Sequence, residues 1–152
     1  MIYLLDTDTF VFMVRGLKAR PDTSQHARAQ RAIGERIAAR GQAKQVAGHV
    51  IALSAITVAE LEFGARHSRD YAQEIGLVRG AMTPFQLLDF DAQDCAVCYG
   101  DVRQALQSAG TPIGALDTLI AAQALALGAT LVTHNTAEFS RVKRLRLENW
   151  AA

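Results

Sequence analysis

Three carboxylates stand where a folded chain could bring them together. Asp6 directly follows the apolar run Ile2–Leu5. Glu60 lies a turn or so beyond a second run, Val50–Leu53, and Asp117 lies in the segment leading to a third, Thr130–Thr133. Asp8, Ser54, Thr133 and Asn135 put further polar groups beside the ends of these runs. Carboxylates a few ångströms apart repel, and one of them protonates unless a cation is present. A divalent ion removes that penalty, and an all-oxygen donor set suits Mg²⁺, with Mn²⁺ as a substitute. Such a site activates water and stabilises in-line displacement at phosphorus.

Taken one at a time, these residues have ordinary explanations. Thr57-Val58-Ala59-Glu60 matches a capping box, in which the glutamate bonds the backbone of the cap residue. Asn135-Thr136-Ala137-Glu138 fits the same logic, with Asn135 as the cap. Asp117 near a helix start complements the helix dipole. Asp6, after a buried strand, has no capping task in view. The constellation carries the signal, rather than any one member.

The elements that must position these groups follow from periodicity and punctuation. Ile2–Leu5, Val50–Leu53, Gln86–Asp89 and Thr130–Thr133 read as strands, and Arg146–Glu148 as an edge strand. Thr9–Val14 is apolar on all sides and predicts a short helix buried in the core or against a partner. Gly16–Thr23, with Pro21, reads as a loop. Ser24 caps a predicted helix that stops at Arg40 before Gly41, and Gly41–His49 reads as a loop. Further helices are expected from Thr57, over Asp70–Ala81, Ala92–Ala109, Gly114–Leu127 and Thr136–Arg141. Strands alternating with helices predict an α/β fold: a central parallel sheet of four to five strands with helices on both faces. Ligands of such sheets bind outside the carboxyl ends of the strands, where the acids stand. With no repeat, linker or low-complexity tract, residues 1–152 are expected to form a single domain.

Composition narrows the function classes. Half of the 152 residues are hydrophobic and a fifth are charged, which is ordinary globular usage. No apolar run approaches the roughly 18 residues of a membrane span. The N-terminus lacks the basic region of a signal peptide, so a cytoplasmic protein without membrane association is expected. Cys95 and Cys98 fall within a predicted helix with no second ligand pair, and are read as reduced thiols rather than a zinc or redox site. His26, His49, His67 and His134 are scattered without metal-ligand spacing. Net charge is only +1, but Arg15–Lys44 carries eight basic and two acidic residues, a local +6. Arg28, Arg31 and Arg36 on its predicted helix can hold a phosphate backbone, as can the later cluster Arg141, Lys143, Arg144 and Arg146. A solvated helix face explains the same charges.

Four segments together resemble the PIN-domain family: Leu4-Leu5-Asp6-Thr7-Asp8, the stretch from Ser54 to Leu61, the stretch from Pro112 to Ala122, and Leu131-Val132-Thr133-His134-Asn135. Within it the chain resembles the VapC toxins of VapBC toxin–antitoxin pairs over nearly its whole length. The resemblance implies a Mg²⁺-dependent endoribonuclease acting on single-stranded or loop RNA, frequently tRNA. It also implies inhibition by a VapB antitoxin and, often, a homodimer. Asp6, Glu60 and Asp117 match the family's acidic, metal-binding positions. Asn135 stands where many members carry a fourth acid, Asp8 at a variable polar position, and Thr133 at a polar position beside the site. Under this reading the arginine-bearing helix is an expected RNA track, and Phe10–Val14 an expected surface for a dimer or antitoxin.

Two rival readings stay open at this point. A PIN-like domain can bind nucleic acid as a regulator and cut little, although the retained acids speak against it. Asp6-Thr7-Asp8 after a strand also resembles the haloacid dehalogenase motif, whose first Asp attacks phosphorus. That family needs a later lysine and a late acid pair, whereas the fourth run here ends in Thr133-His134-Asn135. No phosphate-loop or dinucleotide signature is present.

Overall fold

The computed structural model describes residues 1–18 and 24–152. Its frame is a five-stranded, wholly parallel sheet in the order β3-β2-β1-β4-β5. The strands are β1 (Ile2–Leu5), β2 (Val50–Ser54), β3 (Gln86–Leu88), β4 (Thr130–Val132) and β5 (Arg146–Glu148). The central strand is buried on both faces, so it is apolar throughout instead of alternating. Its residues divide the core by parity. Tyr3 and Leu5 face one cluster, with Ile51, Leu53, Phe10, Met13 and Ile37. Leu4 faces the other, with Ala52, Leu131, Ile120, Leu106 and Phe139.

Among the described residues, seven helices cover the sheet: α1 (Thr7–Lys18), α2 (Gln25–Val46), α3 (Ala55–His67), α4 (Tyr71–Met82), α5 (Asp94–Ser108), α6 (Ala115–Leu127) and α7 (Thr136–Phe139). Among the described residues, no helix is long and apolar enough to cross a membrane. Helix α1 starts two residues before the expected Thr9 and runs past Gly16 to Lys18. The remainder of the loop expected there, with Pro21, lies outside the described residues. Phe10, Met13 and Val14 go into the core, while Val11 and Phe12 are half-buried, so the all-apolar segment is used mainly inside the chain.

Ser24 caps α2 as expected, accepting the Ala27 N–H at 3.1 Å. The helix does not stop before Gly41. It continues to Val46, and the chain turns at Gly48, whose φ of 90° suits glycine. Tertiary contacts outweigh the propensity of one glycine: Gly41 lies under the Trp150 ring, where a Cβ would approach Cζ3 to 3.5 Å. Along the same helix, Arg36 donates to the Ala151 carbonyl at 2.6 Å and Arg40 to the Asn149 carbonyl at 2.7 Å. Lys44 donates to the Tyr3 hydroxyl at 3.0 Å and pairs with Glu148 at 3.6 Å.

Other boundaries shift by small amounts for visible reasons. Helix α5 begins at Asp94 because the Asp91 carboxylate accepts the N–H groups of Gln93 and Asp94 at 3.0 and 2.5 Å. Helix α6 ends, as expected, at Gly128, in the left-handed region at φ 62°. Cys95 is buried and Cys98 half-buried, and both are free thiols.

Helices α1 and α2 touch backbone to backbone. A Cβ on Gly16 would sit 2.5 Å from the Gln30 carbonyl oxygen and 2.6 Å from the Gly34 Cα, with no flexible side chain to yield. Gly16→Ala should therefore cost about 1–3 kcal/mol through forced helix separation. Gly76→Ala, in α4 with nothing within 4 Å, should instead gain about 0.5–1 kcal/mol. Denaturant melts of the two variants check the pair, and equal effects would contradict the close helix contact.

Candidate active site

Asp6 leaves β1 at its carboxyl end. Its N–H donates to the Val132 carbonyl at 2.9 Å, continuing the sheet for one residue. The side chain is almost wholly buried. Oδ1 accepts the Thr9 N–H at 2.8 Å, so Asp6 is the N-terminal cap of α1. This corrects the expectation that Asp6 has no capping task, and it accounts for the early start of the helix. Oδ2 accepts from the Thr133 hydroxyl at 2.5 Å. Thr133 lies just past β4, fully buried, and its Oγ1 in turn accepts the Asn135 N–H at 2.9 Å. Burial pushes the Asp6 pKa up, opposed by the hydrogen bonds from Thr133 and Thr9.

Glu60 does not close a capping box. Helix α3 starts at Ala55, capped by Ser54, whose Oγ accepts the Ile56 N–H at 3.0 Å. Thr57 and Glu60 are thus inside the helix. Glu60 Oε1 instead accepts from the Thr7 hydroxyl at 2.6 Å, and Thr7 Oγ1 also lies 3.0 Å from the buried Thr57 Oγ1. Sequence reasoning overlooked Thr7, whose signal was its place between two aspartates at a helix start. Ser54 is turned inward and donates to the carboxamide oxygen of the fully buried Gln123. Gln123 Nε2 donates to the Leu88 and Asp89 carbonyls at 3.2 and 3.1 Å, fastening α6 to the end of β3.

Asp117 lies in the first turn of α6, half-buried, where it also complements the helix dipole. Gly114 leaves room over it, since a Cβ there would stand 3.3 Å from Oδ2. The second capping box fails too. Asn135 makes no side-chain cap bond, and its Nδ2 donates to Glu138 Oε2 at 2.5 Å. Glu138 Oε1 accepts the Gly114 N–H at 3.2 Å, linking α7 to the loop that carries Asp117. Glu138 is the second residue that sequence reasoning missed in this role. It was visible only as a helix-start acid, because its partner is 24 positions away.

These pieces assemble one open cleft of about 360 Å³, lined by Asp6, Thr7, Asp8, Glu60 and the 114–117 segment. Asp8 is exposed at the cleft. Asn135 does not line it and faces Glu138. Burial, then the charges of Glu138, Asp6, Asp8 and Glu60, push the Asp117 pKa up to about 6. Among the described residues, no three carboxylate, imidazole or thiol groups already stand as a closed ion-holding cluster. The acids face a shared space instead. Its donors are all oxygens, and burial followed by the charges of the neighbouring acids raises the Asp117 pKa, so the set fits a hard divalent cation. Of the arginines expected to contact RNA, none lines the cleft. Arg36 holds the Ala151 carbonyl, Arg31 lies 3.8 Å from Glu35, and Arg28 is exposed on α2.

A model of the family described as "PIN domain" matches residues 3–145. The chain belongs to the PIN-domain family. "Ribonuclease VapC2" of Rickettsia felis is 34% identical over 150 residues, 99% of this chain and 98% of that protein. The "tRNA(fMet)-specific endonuclease VapC" of Salmonella typhimurium is 37% identical over 98 residues, 64% of this chain and 74% of that one. The crystal structure of VapBC2 from Rickettsia felis, bound to a DNA fragment from their promoter, superposes with a TM-score of 0.82 at 31% identity, covering 99% of both chains. This PIN domain therefore falls among VapC ribonucleases in sequence and in fold.

The acidic cleft has a consequence for stability. The folded-state pKa of Asp117, about 6, lies above its unfolded value of about 4. Folding thus binds this proton, and the charged side chain costs stability once pH rises above both values. Asp117→Asn should melt higher than wild type at neutral pH in EDTA. The gap should close as pH falls from about 6 toward about 4. A gap independent of pH would dissociate Asp117 from this electrostatic strain.

Proposed function

We propose that this PIN domain is a VapC-type endoribonuclease toxin whose catalytic acids are Asp6, Glu60 and Asp117. The observation that carries the reading is that these three acids, from three distant parts of the chain, line one cleft at the carboxyl ends of the strands. Asp6, Asp117 and Glu60 would hold Mg²⁺, with Mn²⁺ as a substitute. When bound, the ion lowers the pKa of a water and offsets charge at phosphorus.

The chain's own residues do the rest by positioning. Thr133 and the Thr9 N–H fix both oxygens of Asp6, so its carboxylate cannot rotate away from the cleft. Thr7 holds one oxygen of Glu60 and leaves the other for the cleft. Glu138, anchored by Asn135 and Gly114, fixes the loop before Asp117 and, after burial, adds to the raised Asp117 pKa, which favours a counter-charge. Asn135 thereby supports the site indirectly, and Asp8 adds negative charge at the cleft. Hydrolysis places the oxygen of water on phosphorus and releases the 3′ oxygen, leaving a 5′-phosphate.

The substrate is RNA, with tRNA favoured by the named specificity of the Salmonella typhimurium relative. A VapB antitoxin neutralises the enzyme, as the VapBC composition of the similar structure supports. A homodimer is the assembly that the family resemblance implies. The setting is the cytoplasm, where such a toxin meets its RNA. Arg28 and Arg31 on α2 contact the phosphate backbone outside the cleft.

Asp6→Asn keeps the cap, because asparagine caps helices as well as aspartate does. It should stay folded yet lose RNA cleavage by at least about 100-fold, as should Glu60→Gln. EDTA should abolish wild-type cleavage, and Mg²⁺ or Mn²⁺ should restore it. Undiminished cleavage by Asp6→Asn, read on a gel with end-labelled RNA, would refute the assignment. Separately, reversing Arg28 and Arg31 to glutamate should weaken RNA binding and flatten the slope of affinity against salt. An unchanged slope would remove α2 from the RNA contact.

A further inference from the structure

A second hollow, of about 180 Å³, adjoins the acidic cleft, and the two share Ala115. Its floor is the buried Leu106 and Thr118, whose hydroxyl is already spent on the Gly114 carbonyl at 2.8 Å. Its rim includes Tyr99, Arg103, Gln107 and Ile113. Tyr99 and Arg103 lie one turn apart on α5, and Arg103 Nη1 donates to the Tyr99 hydroxyl at 2.9 Å. The guanidinium carbon is 6.0 Å from the centre of the Tyr99 ring. An aromatic ring, a guanidinium plane and a carboxamide thus surround an apolar floor, and the cleavage chemistry uses none of them.

We propose that this hollow is a nucleobase subsite, which takes one unpaired base of the RNA strand next to the phosphate lying over the carboxylates. The inference rests on the nuclease reading of the adjoining cleft. Unstacked RNA bases are recognised by stacking on aromatic rings or arginine planes, with hydrogen bonds to their edges. Here Tyr99 and Arg103 supply the planes, and Gln107 supplies a donor and an acceptor for a base edge. Electrostatics favours a base over a phosphate as the anchor. The cleft carries Asp6, Asp8, Glu60 and Asp117, with Glu138 close by, and these repel the RNA backbone. A neutral base held beside it adds binding without opposing that field. It also keeps the strand in register with the acids.

The test uses the Asp6→Asn protein, which keeps RNA intact, and a short single-stranded RNA that the wild type cuts. One abasic ribose is moved along that RNA, removing a base while keeping every phosphate. At one position beside the cut site, loss of the base should weaken binding about 5- to 100-fold. Tyr99→Leu should weaken binding of the intact RNA similarly, and the two losses should not add. Tyr99→Trp should restore binding. In the active enzyme, Tyr99→Leu should raise KM with kcat retained. Should Tyr99→Leu unfold in a thermal melt, Arg103→Gln, on an exposed side chain, replaces it in the same cycle. The proposal is overturned if the losses add at every position, or if the substitutions weaken only the binding of a partner protein. A wild-type protein that neither binds nor cuts RNA removes the nuclease reading itself, and the subsite with it.

Discussion

Asp6 is an ionisable group placed, nearly without solvent, at the end of the central strand of the sheet, and that placement has to be compensated. Moving a carboxylate out of water is costly unless it is hydrogen-bonded, and a second acid nearby raises the cost. Around Asp6 the fold supplies two donors from opposite directions: the α1 backbone through Thr9, and the Thr133 hydroxyl beyond β4. Neither suffices to bring the pKa back to its ordinary value. What remains uncompensated is directed at the cleft, where the other acids add to it. The chain is therefore held by its sheet and two cores in an arrangement that its own charges oppose.

The supports show a shared pattern. Asp6, Glu60 and the loop that carries Asp117 are each fixed by a polar side chain from a different element. Thr133 orients Asp6, Thr7 orients Glu60, and Glu138 ties the Gly114 loop in front of Asp117. Threonine suits this work because its β-branched side chain has few rotamers, so its hydroxyl direction is set by the backbone. Gln123 does the same one layer deeper, joining Ser54 at the end of β2 to the carbonyls at the end of β3. The rim thus owes its geometry to hydrogen bonds that join strand ends, helices and loops, while packing of the two cores holds the strands themselves.

Much of this was legible in the sequence because strand ends are. A buried parallel strand must be a largely apolar run, so Ile2–Leu5 and Thr130–Thr133 announced themselves as strands, together with the acid or hydroxyl at their carboxyl ends. Misreadings arose where a local motif had a distant partner. Thr57 to Glu60 has the spacing of a capping box, yet Ser54 starts the helix earlier and frees Glu60 to meet Thr7. Glu138 has the same spacing after Asn135, yet bonds a loop 24 residues back. Gly41 read as a stop, but the ring of Trp150, more than a hundred residues later, covers it and the helix passes through. A local rule assigns a partner within reach along the chain. It has no access to partners that only the folded sheet delivers.

The same reasoning separates the two kinds of basic residue. Charge density along Arg15–Lys44 marked α2 as a surface for phosphate. In the fold, part of that charge serves the chain itself, with Arg36 and Arg40 bonded to carbonyls of the C-terminal residues and Lys44 to Tyr3 and Glu148. An arginine that holds a backbone carbonyl has already given up part of its hydration, so moving it to a phosphate would break one bond to form another. Arg103 presents a different case, since its partner Tyr99 is on its own helix and turns with it. Its guanidinium plane stays available at the rim of the hollow that adjoins the cleft while its position is held. Position relative to the acids, rather than the number of charges in a segment, decides which cations can act on a strand lying across them.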